Sequence, residues 1–268
     1  MSAGISTDHA TLAEPKFLLV MTATVAPSAS AQIRRSSPAE RLEDYKRALR
    51  FWLKYPHTAA ERILFLENSG ADLSELRAIA ENENPMQREV EFLSLPAHEI
   101  PAGTNYGYAE MQALDEGLTL SRLRPATTHM IKTTGRLTFP ALGKALDQIA
   151  RSDSTPLELM IDCHKLGLFR RGYDARTQLF VCSHRFYDRE LRGSNREMNA
   201  TDVWLLEHLI YSKVIPFKGL PGYHLRFPCN IEPVGYFGFK NRRYDSPRGA
   251  FARGVRAMLR VVAPGYWF

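Results

Sequence analysis

TTHMIKTTGR, residues 127–136, is the stretch on which the fold turns. Its first half is an apolar, β-prone run, and its second half is a short polar turn that carries Lys132 and Arg136. An apolar run of this length, closed by turn residues, marks a strand buried on both faces. In enzymes built from alternating strands and helices, ligands gather beyond such strand ends, often around carboxylates that hold a metal. Here the strand end offers two cations instead.

Outward from this strand the pattern alternates. FLLVMTATV (17–25) is a continuous apolar run rich in Val and Thr and is read as a strand. Lys16, the apolar run, Ala29 and Ala31 imitate a signal peptide with its cleavage site. Asp8 and Glu14, however, deny the preceding segment a basic character, and a strong helical pattern follows. That pattern is AERLEDYKRALRFWLK after Pro38, where Leu42, Tyr45, Leu49 and Leu53 recur at helical spacing. RILFLENSG (62–70) predicts a second strand, residues 73–81 a helix, and VEFLSL (90–95) a third strand. NYGYAEMQALDEGLTLS (105–121) predicts a helix with Gly107 at its start. After TTHMIKTTGR come a helix over 140–151 and two strands, LELMIDCH (157–164) and TQLFVCSH (177–184). This order predicts an α/β fold with a mostly parallel central sheet covered by helices on both faces.

The last third changes character. NATDVWLLEHLIYSKVI (199–215) predicts a helix started by Asn199, and a stretch rich in Pro, Gly and aromatics leads to a final helix over 249–262. Residues 1–15 read as a loose leader, 16–215 as the main domain, and 216–268 as a basic extension of it. The net charge of +6 resides in that extension. From Val234 onward there are seven basic residues against Asp245, while the other 233 residues carry 28 charges of each sign. In the final helix Phe251, Val255, Met258, Leu259 and Val262 share one face, and Arg253, Arg256 and Arg260 the other. Such a helix suits an anionic membrane surface, and equally a docked helix with solvated arginines.

Several classes lose support. A composition of 44% hydrophobic and 24% charged residues is that of a globular chain, and no apolar run approaches the ~18–20 residues of a membrane span. Cys163, Cys182 and Cys229 are odd in number and lack a CxxC, which argues against a disulfide framework or a zinc site and for a reducing cytoplasm. GxxxxGK[ST], GxGxxG after the first strand, GxSxG and HExxH are all missing.

The strand-end rule gathers Thr22–Thr24, Glu67–Gly70, Lys132–Arg136 and Asp162–His164 into one candidate crevice. Gly107, at a helix start, could turn backbone N–H groups toward an anion, or serve the turn alone. In this setting LLVMTATV with ERLEDYKRALRFWL, ILFLENSGADLSEL, NYGYAEMQALDEGL, IKTTGR and WLLEHLI occur in an order that resembles bacterial glycosyltransferases of capsule and lipopolysaccharide O-chain synthesis, with a GT-A-like fold. The resemblance covers residues 17–215. It implies transfer of a sugar from a nucleotide-diphosphate donor to a carbohydrate acceptor. A membrane-surface role for the final helix fits an acceptor carried on a lipid diphosphate at the cytoplasmic face of the inner membrane.

GT-A enzymes usually carry a DxD whose carboxylates hold Mn²⁺ or Mg²⁺ across the donor diphosphate, and KTTGR stands at the comparable place. Lysine offers a point charge and arginine a fork matched to phosphate oxygens, so Lys132 and Arg136 are expected to take the metal's role. A divalent cation remains the alternative cofactor. Thr22, Thr24 and Gly107, from their strand-end and helix-start positions, are expected as donor contacts, and Glu67 and Asn68 resemble groups that would hold the base or ribose. Asp162 could hold a metal, contact the sugar, or pair structurally with a nearby arginine. The base that deprotonates the acceptor is expected near the start of the helix after the sheet, at Asp202, with Glu207 and His208 further along. Two other classes stand beside this one. One is a noncatalytic nucleotide- or carbohydrate-binding protein of the same fold. The other is a nucleic-acid binder using the basic tail and Tyr223, Phe227, Tyr236, Phe237 and Phe239, for which no recognition motif speaks.

Overall fold

The computed structural model describes residues 14–27, 34–165, 173–199 and 205–237, together with Arg242, Arg243, Gly254 and Met258. Among the described residues seven strands form one sheet: β1 (Phe17–Ala23), β2 (Arg62–Glu67), β3 (Glu89–Ser94), β4 (His129–Thr134), β5 (Leu159–Lys165), β6 (Tyr173–Ser183) and β7 (Tyr223–His224). Their order is β3-β2-β1-β4-β6-β5-β7. The first four in that order are mutually parallel, β6 is antiparallel to both β4 and β5, and β7 is parallel to β5. A separate ribbon pairs β8 (Tyr236–Phe237) with β9 (Arg242–Arg243).

All seven residues of β1 are buried, because the sheet is covered on both sides. Leu19 and Met21 enter a core with α1 (Pro38–Leu53), α2 (Ser74–Asn82) and α4 (Leu142–Ser152). Leu18 and Val20 enter a second core with α3 (Tyr106–Leu120) and α6 (Leu206–Val214). The period of two along the strand thus feeds two helical layers. A short turn, α5 (His184–Phe186), follows β6. In α1, Pro38 sits in the first turn and the Ser37 side chain accepts the Glu40 amide, which satisfies one of the helix's leading N–H groups. Tyr45, Ala48, Leu49 and Trp52 then face inward at helical spacing.

Several boundaries differ from the sequence expectation, each for a physical reason. β1 stops at Ala23 and not Val25, because the Thr24 amide leaves the ladder to donate to Tyr45 Oη at 2.9 Å. β6 starts at Tyr173 and reverses direction. Only seven residues separate it from β5, fewer than the dozen or so that a parallel crossover needs. The helix expected from Asn199 begins at Leu206, since Leu205 is extended at φ −106°, ψ 131°. Residues 200–204, Asp202 among them, lie outside the described residues, as does the helix expected over 249–262 apart from Gly254 and Met258.

The described part of the 216–268 stretch belongs to the same packed body. Phe227 and Ile231 lie in the first core, Leu225 in the second, and Val234 bridges Thr138. Among the described residues, no helix is long and apolar enough to cross a membrane.

The strand order places a topological switch point between β1 and β4. From β1 the chain winds outward through β2 and β3, then returns by α3, on the opposite face, to β4. Loops there diverge and leave a crevice beyond the carboxyl ends of the strands.

Candidate functional site

A cavity opens at that switch point. Its lining includes Thr22 and Thr24 from the end of β1, Asn68 after β2, Thr134 and Arg136 after β4, Glu110 of α3 and Glu207 of α6. Gly135 lets the turn close tightly. Its amide donates to Thr22 O at 2.7 Å, and a Cβ at this position would lie 2.8 Å from the same oxygen.

Lys132 lies beneath the cavity and is not an open cation. Its side chain is 1% exposed, and Nζ sits 2.7 Å from Glu110 Oε1 and donates to Thr177 O at 2.7 Å. Thr22 Oγ1 donates to the same Glu110 oxygen at 2.7 Å. Burial alone would raise the affinity of Glu110 for a proton. The Lys132 charge, the hydrogen bonds from Lys132 and Thr22, and the more distant Arg136 outweigh it and hold the carboxyl below the usual range. Glu110 is therefore an anion whose charge is met from beneath, with 18% of its side chain open to the cavity.

Glu207 behaves in the opposite way. Burial pushes its carboxyl up, the neighbouring charges of Glu110 and Asp174 add to this, and Lys132 only partly opposes them. Two carboxyls thus share a cavity with proton affinities driven apart, an arrangement suited to acid–base work. On the wall, Arg136 Nε donates to Tyr236 O at 3.2 Å. Arg41, 2% exposed, donates from Nε to Thr24 O at 2.6 Å and from Nη2 to Tyr45 Oη at 3.0 Å.

The remaining residues singled out from the sequence divide. Thr24 Oγ1 and Asn68 Oδ1 are 2.5 Å apart at the cavity edge. Glu67 is fully buried behind it, and its carboxylate accepts the amides of Val25, Ser69 and Ala71 at 2.9–3.1 Å, so it staples the strand-end loops together. Gly107 sits at the start of α3, where its amide donates to the Asn105 side chain at 2.7 Å, and an added Cβ would fall 2.6 Å from Leu206 Cβ. Its glycine is thus what lets α3 and α6 approach. Asp162 is 2% exposed beside a β-bulge in β5, with Arg176 Nε at 3.6 Å, and is separated from β4 by the intervening β6. His208 is half-buried and, unlike Glu207 next to it, does not line this cavity.

Sequence reasoning missed Glu110, Arg41 and Thr177. Glu110 left a trace, as the one acid among Gly107, Met111, Leu114 and Leu118 on the buried stripe of α3. An acid on such a stripe calls for a buried partner. Arg41 and Thr177 left none, because their contacts are made across the fold.

Among the described residues, no group of three or more His, Cys, Asp or Glu side chains converges to hold a metal ion. Of the two glutamates that line the cavity, Glu110 is already paired with Lys132.

No protein-family model matches the chain, and no curated protein matches it. Solved structures do. The chain is similar to a cytidylyltransferase from Leptospira borgpetersenii (11% identity, 79% of this chain and 75% of that one, TM-score 0.42). It is similar also to a Bacillus anthracis protein assigned as a glucose-1-phosphate thymidylyltransferase (10% identity, 90% and 94%, TM-score 0.44). A Desulfovibrio desulfuricans protein assigned as a nucleotide-diphospho-sugar transferase matches at 12% identity over 92% and 98%, with a TM-score of 0.38. These are distant likenesses of chain path, and the chemistry of the site rests on its own residues.

Proposed function

We propose that the chain is a glycosyltransferase that takes a sugar from a nucleotide-diphosphate donor in the switch-point cavity. The observation that carries this reading is the pairing, in one cavity, of a cationic wall with a carboxyl whose proton affinity burial raises. Arg136 and Arg41 favour an anionic ligand, and Glu207 lines the same cavity. Glycosyl transfer needs both functions, since charge builds up on the departing diphosphate and a proton leaves the attacking hydroxyl.

Arg136 contacts the diphosphate directly. Lys132 serves from beneath, fixing Glu110, and so supports the cavity electrostatically. Thr22, Thr24, Asn68 and the start of α3 at Gly107 shape the donor's seat. Asp162 lies further off, and its part is to hold Arg176 in place. Glu207 takes the proton, while Asp202 and His208, carried from the sequence resemblance, are the competing bases. The same resemblance supports a growing bacterial surface polysaccharide as acceptor, and the basic final helix expected from the sequence supports one that is lipid-linked at the inner membrane's cytoplasmic face.

A thermal-shift screen of nucleoside diphosphates and their sugars tests the donor seat. Binding is expected for one nucleotide class, is weakened by Arg136→Gln, and persists in EDTA because the cation is the protein's own. Binding lost in EDTA and restored by Mn²⁺ would overturn the cation assignment, and a shift by none of the ligands would overturn the donor reading.

A further inference from the structure

A second cavity lies against the first, and the two share Tyr106, Gln178 and Glu207 as a common wall. Their chemistry differs. The first carries the cations Arg41 and Arg136. The second is lined on its polar side by His164, Asp174, Arg176, Gln178, Glu207 and Glu232, with carboxylates outnumbering the single arginine. Its floor is apolar: Phe139, Leu179, Phe227 and Ile231 are each 6% exposed or less. An acid-leaning wall repels a phosphate. Carboxylates and amides above an apolar floor instead suit a neutral ring with hydroxyls on its rim and C–H groups on its face.

The wall also keeps hydrogen-bonding capacity in reserve. Glu232 Oε1 is buried with no hydrogen-bond partner among the described residues. His164 Nδ1 and Asp174 Oδ1 stand 2.9 Å apart as a pair on the same wall, which leaves Glu232 Oε1 as the unmatched atom. A buried polar atom left unmatched costs stability unless a ligand meets it.

We propose that this second cavity is the acceptor subsite, which binds a neutral, hydroxyl-rich sugar and presents one hydroxyl to Glu207 at the shared wall. The proposal rests on the donor reading of the first cavity. In the transfer, the acceptor oxygen forms its bond to the anomeric carbon and its proton passes to the Glu207 carboxylate. The bond from the anomeric carbon to the phosphate oxygen breaks, and the nucleoside diphosphate departs with the electron pair.

Saturation-transfer NMR on the full chain tests it, using glucose, galactose, mannose and N-acetylglucosamine, alone and with a nucleoside diphosphate. Wild type is expected to bind at least one of the sugars. Glu232→Gln and Asp174→Asn, each checked for an intact thermal transition, are expected to weaken that sugar about tenfold, and the nucleotide by a smaller factor. Arg136→Gln is expected to show the reverse order. No sugar bound under either condition, or sugar affinity changed less than twofold by both variants, would overturn the proposal. Sugar bound and weakened as stated, with no nucleotide bound, would uphold a saccharide site in the second cavity and remove the donor reading of the first.

Discussion

Lys132 and Glu110 form a buried ion pair beneath the cavity, with Thr22 and the Thr177 carbonyl completing the network. Removing one partner strands the other charge, which costs about 3–5 kcal/mol in a buried pair. Because 18% of the Glu110 side chain remains open, Glu110→Gln is expected at the lower end, about 3 kcal/mol, by urea unfolding at pH 7. The folded-state pKa of Glu110 is depressed, so its contribution is full above the unfolded value of 4.5 and fades as pH falls through the folded one. The gap between wild type and Glu110→Gln should therefore narrow at acid pH. Glu207 has the opposite sign: its raised folded pKa gives stability below the unfolded value that is lost as pH rises through the folded one. Glu207→Gln should accordingly melt higher than wild type at pH 8 while losing about 10²–10⁴ in kcat and the acid limb of the rate profile. A variant no more stable than wild type at pH 8 would contradict the raised proton affinity of Glu207, and one with unimpaired kcat would deny it the base's role. At this scale the sequence was only partly legible. KTTGR marked a charged strand end, but the partner that turns Lys132 inward lies 22 residues earlier on another element, and nothing local announces it.

The two site carboxyls ride on α3 and α6, and their spacing depends on how closely those helices meet. Gly107 sets that approach, with room for hydrogen only against Leu206. Gly107→Ala is expected to cost about 1–3 kcal/mol by overpacking and to lower transfer by separating Glu110 from Glu207. Differential scanning calorimetry beside a turnover assay checks both effects. A variant that loses stability and keeps full turnover would uncouple helix spacing from the site. Most elements were readable because strands buried on both faces become continuous apolar runs, as in FLLVMTA and HMIKTT. The direction of β6 was not readable from its own residues, since a buried run has the same pattern in either orientation. The short link to β5 determines it. The start of α6 was misplaced because helical periodicity reaches back through Trp204 and Leu205, while the backbone at Leu205 is extended.

Across the whole molecule, two cores on opposite faces of one sheet hold the switch point open, and the chain past residue 215 helps to close them. Phe227 contributes both to the first core and to the floor of the second cavity. Phe227→Ala is expected to destabilise by about 3–5 kcal/mol. Far-UV circular dichroism and tryptophan fluorescence should still follow one coincident transition; separate transitions would mean that this stretch folds as its own unit. The most direct test of the central claim is release of nucleoside diphosphate from a panel of nucleotide-diphosphate sugars in the presence of saccharide acceptors. The assay compares wild type with Glu207→Gln and Asp202→Asn. Turnover of one donor class by wild type, together with loss of at least 10² in kcat for Glu207→Gln and a smaller loss for Asp202→Asn, is the predicted result. Absence of release from every donor, or unimpaired release by Glu207→Gln, would contradict it.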